Sequence, residues 1–106
     1  MKIKGFAHKG SGESSVWMPR YIPYLYPGTL NLKLEGKKPL ITYTEEIDTD
    51  YGKPCKVAPC KINGEDGFVV WPPLAKERKS RIEIGATFNI REKFNLKDGD
   101  SVIIEL

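Results

Sequence analysis

Leu30, Leu32 and Leu34 alternate with Asn31 and Lys33, and Ile82 and Ile84 alternate with Arg81 and Glu83. A period of two sends successive side chains to opposite faces of a strand, so each segment offers one apolar face to a core. Thr29 and Asn31 share the other face of the first segment, and Glu83 lies on the outward face of the second. Further strands are predicted over residues 1–8, 16–18, 39–44 and 101–106. Residues 56–62 and 68–71 read as a hairpin around Asn63-Gly64-Glu65-Asp66-Gly67, because Asn-Gly and Asp-Gly pairs tolerate positive φ.

Ile90 and Phe94 stand four apart behind Asn89, the spacing and cap of a short helix, and Lys97-Asp98-Gly99-Asp100 ends it with a turn. Trp17 to Pro27 is interrupted by Pro19, Pro23 and Pro27, which argues against a regular helix there. The result is a mainly β chain of about six to eight short strands with one short helix, which favours a closed barrel over an open sheet.

At 106 residues, without internal repeats or linker-like tracts, the chain reads as a single domain over 1–106. A net charge of +3 is too mild to name a partner. No apolar run is long enough to cross a bilayer and the N-terminus lacks a signal-peptide core, which predicts a cytoplasmic protein. Cys55 and Cys60 are five apart, on opposite faces of one regular strand, and read as buried thiols unless Pro59 introduces a bulge; no second Cys or His pair completes a zinc site.

His8 is the only histidine and no Gly-x-Ser-x-Gly elbow is present, so classical nucleophilic catalysis is poorly supported. Gly10-x-Gly12-Glu13 could bring backbone N–H groups close to an anion, or could simply turn a hairpin. Thr29 and Asn31 offer neutral oxygens of the kind that suit Mg²⁺ carrying nucleotide phosphates, or could be the solvated face of an edge strand. Lys76 to Arg81 reads as a solvated basic loop, or could attract a nucleotide. Trp17, Tyr21, Tyr24 and Tyr26 could plug a barrel end or stack on a flat ligand.

Three segments occur together in one order: Gly10-Ser11-Gly12-Glu13, Tyr26-Pro27-Gly28-Thr29-Leu30-Asn31-Leu32-Lys33-Leu34, and Ile90 to Asp100. In this the chain resembles the archaeal CTP-dependent riboflavin kinases over nearly its whole length. The resemblance implies a small cradle-loop β-barrel that transfers the CTP γ-phosphate to the 5′-hydroxyl of riboflavin, giving FMN and CDP. It implies Mg²⁺ at Thr29 and Asn31. It implies nucleotide contacts at Gly10, Ser11, Gly12, Glu13, Ser14 and Ser15 and at Phe88, Asn89, Ile90 and Arg91. Glu83 falls on a family glutamate that contacts the flavin, and is the one carboxylate to test as catalytic base. Departures accompany the likeness: Ser14 and Ser15 replace a Gly-Arg pair, Ala75 replaces a threonine, and the segment from Trp17 to Tyr26 is shortened. They motivate an alternative, a flavin- or nucleotide-binding barrel without turnover. A DNA-binding barrel ranks last, since such factors are shorter and dimeric, whereas a monomer is expected here.

Overall fold

The computed structural model describes residues 1–10, 12–74 and 80–106. Seven strands form one antiparallel sheet: β1 (Lys2–His8), β2 (Leu30–Leu34), β3 (Glu45–Ile47), β4 (Cys55–Ile62), β5 (Glu65–Trp71), β6 (Arg81–Gly85) and β7 (Ser101–Glu105). Two helices accompany them, α1 (Ser14–Tyr21) and α2 (Ile90–Lys93).

The strand order β3-β4-β5-β6-β2-β1-β7 closes on itself because β7 also pairs with β4, at Lys61↔Glu105 and Ile62↔Ile104. Six strands therefore make a small barrel, and closure removes its open edges. The first half of the same β4 edge takes β3, at Glu45↔Val57 and Ile47↔Cys55. The β4–β5 hairpin turns on two residues, Asn63 (φ 48°) and Gly64 (φ 85°), both left-handed as the tightest hairpins require. Its strands are longer than the sequence pattern indicates, and Asp66-Gly67 lies within β5 instead of in the turn.

Leu30, Leu32, Leu34, Ile82, Ile84, Val102 and Ile104 fill the barrel together with Ala58, Cys60, Ile62 and Val69. A second cluster lies on the outside of β4 and β5, where Cys55, Val57 and Val70 pack against Trp17, Met18, Ile22 and Leu25. Cys55 and Cys60 thus face opposite sides, as their spacing predicts. The β4–β5 register runs unbroken through Pro59, so that proline makes no bulge. Burial pushes the Cys60 thiol up to about 12 and raises Cys55 as well.

Two local expectations fail. The segment expected as a strand over 16–18 and the start of the Trp17–Pro27 stretch expected not to be helical both lie in the helix α1, with Pro19 inside it. An interior proline costs a helix about 3 kcal/mol. Full burial of Met18 and near-full burial of Trp17 on the outer face of β4 and β5 offset that cost. Residues 39–44 form no strand: Leu40 is 95% exposed, with no core face to meet it, and pairing with β4 starts only at Thr44, whose N–H donates to the Val57 carbonyl. The short helix α2 forms as expected, with Asn89 Oδ1 accepting the Glu92 N–H as N-cap. Among the described residues no helix is long and apolar enough to cross a membrane.

Candidate active site

Register places the polar outer residues side by side. His8 on β1 pairs with Asn31 on β2, Asn31 with Glu83 on β6, and Glu83 with Val70 on β5. Neighbouring strands lie about 4.8 Å apart, so His8, Asn31 and Glu83 form a row across the outside of the barrel. The Pro27-Gly28 turn delivers Thr29 beside it, and the Thr29 hydroxyl donates to Glu83 Oε1 at 2.5 Å. From α1, Ser14 Oγ accepts the Thr29 backbone N–H at 2.8 Å and lies 3.2 Å from Thr29 Oγ1.

A cleft of about 660 Å³ opens over this row. On its β1 side are His8, Lys9 and the Gly10–Gly12 loop. Arg91 of α2 belongs to the same side, since it pairs with Asp98 at 2.7 Å and the neighbouring Gly99 and Asp100 bond the Ala7 backbone. On the β5 side the lining is mainly apolar: Pro72 and Leu74 follow β5, and Val16 and Trp17 come from α1, with Tyr51 nearby and Arg81 of β6 beside Pro72.

Gly10 sits so near Asn31 that a Cβ there would lie 2.1 Å from Asn31 Nδ2. Only glycine lets the loop approach this closely. Asn31 is half-buried, and its amide has no hydrogen-bond partner among the described residues. The Thr29 hydroxyl, the Asn31 amide and the Glu83 carboxylate are the oxygen-bearing groups of residues that line the middle of the cleft. Such a hard set with a single carboxylate suits Mg²⁺ that keeps waters and binds phosphates, but not a cation held by protein alone. No group of three or more His, Cys, Asp or Glu that could hold a metal ion exists among the described residues.

Of the residues singled out from sequence, Gly10, Gly12, Glu13, Ser14, Thr29, Asn31, Glu83 and Arg91 line this one cleft. Ser15 does not; its hydroxyl donates to the Gly12 carbonyl at 2.7 Å and ties the loop. Phe88, Asn89 and Ile90 also lie outside the lining: Phe88 packs edge-on against Phe94, Asn89 caps α2 and donates to Tyr26 Oη, and Ile90 is buried. Ser11, Ala75 and Lys76 to Lys79 are outside the described residues.

The aromatic segment divides. Trp17 reaches the cleft while staying 5% exposed in the outer core. Tyr21 and Tyr24 instead pack edge-on against Tyr51 and Phe68. His8, Lys9, Tyr51 and Leu74 are lining residues that sequence reasoning did not single out for binding, whereas Arg81, the end of the basic run, also lines the cleft, from the first position of β6. For His8 a signal existed, since a strand-end residue can meet Asn31 across a ladder, but only the register reveals it.

A family model for the CTP-dependent riboflavin kinase domain, described as domain of unknown function DUF120, matches residues 20–106. The chain is 30% identical to the riboflavin kinase of Archaeoglobus fulgidus, over 100% of this chain and 54% of that protein. It is 35% identical to the riboflavin kinase of Pyrobaculum aerophilum, over 76% of this chain and 44% of the relative. Against the riboflavin kinase of Sulfurisphaera tokodaii identity is 33%, over 100% of this chain and 95% of the relative. The chain thus spans about half the length of the first two relatives and nearly all of the third. With four fifths of its residues under one family model and a relative matched almost end to end, the chain belongs to the CTP-dependent riboflavin kinase family.

Proposed function

We propose that residues 1–106 act as one Mg²⁺-dependent kinase unit that transfers the γ-phosphate of CTP to the 5′-hydroxyl of riboflavin, giving FMN and CDP. The observation that carries this reading is the convergence of Thr29, Asn31 and Glu83 at the middle of a cleft that is glycine-lined with Lys9 and Arg91 on one side and mainly apolar on the other.

Phosphoryl transfer asks a protein chiefly to align acceptor and donor and to balance charge on the moving group. The nucleotide phosphates lie on the β1 side, where loop N–H groups, Lys9 and Arg91 offer donors and positive charge. The isoalloxazine ring lies on the β5 side, against Pro72, Leu74, Trp17 and Tyr51, which directs its ribityl chain toward Glu83. Thr29 and Asn31 would hold Mg²⁺, which when bound neutralises charge on the phosphates. Glu83 accepts the proton of the 5′-hydroxyl as its oxygen bonds to the γ-phosphorus and the bond to the CDP oxygen breaks.

Chromatographic detection of FMN from riboflavin tests the reading, with CTP or ATP as donor and with or without a chelator of Mg²⁺. FMN that requires CTP and disappears with chelator is the expected result. Absence of FMN from folded protein that still binds riboflavin would replace the kinase with a binding barrel, the reading that Ser14, Ser15 and Ala75 motivate.

A further inference from the structure

We propose that Ser14 is a positioning residue of the phosphoryl-transfer site, setting the direction of the Thr29 hydroxyl and through it the placement of the Glu83 carboxylate. The role rests on the kinase reading above but has consequences of its own. Ser14 is 8% exposed and is the one buried polar side chain among the described residues. A buried hydroxyl that the core does not require needs partners, and Ser14 finds both of its partners on Thr29.

The hydrogens can be assigned. Thr29 gives its single hydroxyl hydrogen to Glu83 Oε1. The hydrogen between Ser14 Oγ and Thr29 Oγ1 therefore belongs to Ser14, because each hydroxyl carries only one. Ser14 in turn accepts the Thr29 N–H. Donation runs one way, from Ser14 to Thr29 to Glu83, and leaves a Thr29 lone pair to turn toward the cleft.

The chain of bonds links three separate elements. Thr29 precedes β2, so the β2–β6 ladder, whose first pair is Leu30↔Ile84, does not fix its side chain. Ser14 does so from α1, and α1 is held by Trp17 and Met18 on the outer face of β4 and β5. Packing on one side of the barrel is thereby transmitted to a hydroxyl in the cleft.

The test uses the full chain with Ser14→Ala and Ser14→Thr, read by kcat and riboflavin KM with CTP and Mg²⁺. A second readout, independent of turnover, is Mn²⁺ binding in the presence of CDP, followed by electron paramagnetic resonance. Ser14→Ala should lower kcat about tenfold with riboflavin KM within about twofold. It should also weaken Mn²⁺ binding severalfold, and Ser14→Thr, which keeps the hydroxyl, should restore both.

Unchanged kcat and Mn²⁺ binding in Ser14→Ala would overturn the proposal. If Ser14→Thr does not fold, Ser14→Ala is placed in a Glu83→Gln background: little further loss of kcat supports action through the shared acceptor, and fully additive loss contradicts it. If the unmodified protein makes no FMN, the kinase reading fails; Mn²⁺ binding then decides on Ser14 by itself, weakened binding supporting the role and equal binding removing it.

Discussion

The backbone of Gly10 rests against the Asn31 side chain, with a Cβ at position 10 destined to fall 2.1 Å from Asn31 Nδ2. The glycine loop and the β2 strand thus meet at the amide that the metal and phosphates would use. Gly10→Ala should swing Asn31 away without unfolding the protein, because the atom that must move ends a flexible side chain and Gly10 is exposed. We expect activity to fall about tenfold or more while stability to denaturant changes by less than about 1 kcal/mol.

Glu83→Gln keeps an oxygen that can accept the Thr29 hydroxyl but removes the charge and the proton acceptor. The fold should survive, since Glu83 lies on the outer face of β6 and not in the barrel core. Loss of a positioned general base lowers kcat by about 10²- to 10⁴-fold, and steady-state kinetics on the folded variant should show a drop of that order.

Met18 is fully buried between α1 and the outside of the β4–β5 hairpin. Met18→Ala leaves a cavity there and should cost about 2–5 kcal/mol in chemical denaturation. Because α1 also carries Ser14, this variant should lose kcat at temperatures where it is still folded. A core substitution inside the barrel, Val102→Ala, should destabilise without that kinetic loss.

Burial holds the Cys60 thiol protonated up to about 12, against an ordinary value near 9. Between those values the unfolded chain gives up the proton while the folded chain keeps it, so the unfolded state binds fewer protons and stability falls as pH rises. The contribution is fully present below about pH 9 and is lost as the pH climbs from 9 toward 12. Denaturation at a series of alkaline pH values should show a decline that is shallower in Cys60→Ala. At neutral pH both cysteines should resist alkylation until the protein unfolds, as both are buried.

Local pattern made much of this structure legible. Alternation in 30–34 and 81–87 placed Asn31 and Glu83 on outer faces, although β6 ends at Gly85; Asn63-Gly64 announced the hairpin, and Asn89 announced α2. What escaped depends on distant partners. Helix α1 exists because β4 and β5 offer it an apolar outer face, a fact absent from the Trp17–Pro27 segment itself, where the prolines argue the other way.

Barrel closure brings Lys61 to Glu105 across more than forty residues of chain, beyond the reach of periodicity. The same limit applies to the site. The three motifs each carried a signal, but the bond from Ser14 to Thr29 and the row from His8 to Glu83 exist only once the register is set. Phe88, Asn89 and Ile90 show the converse: their side chains stabilise α2 and the core, and Arg91 alone of that run reaches the cleft.

The most direct measurement follows label from γ-phosphate-labelled CTP into riboflavin, with unmodified protein and Asn31→Ala side by side, both checked for equal thermal stability. The account predicts labelled FMN from the unmodified chain and none above background from Asn31→Ala, whose folded state loses little because the amide bonds nothing else among the described residues. Equal labelling by the two proteins, or none by either, would contradict the assignment of this cleft as the site of phosphoryl transfer.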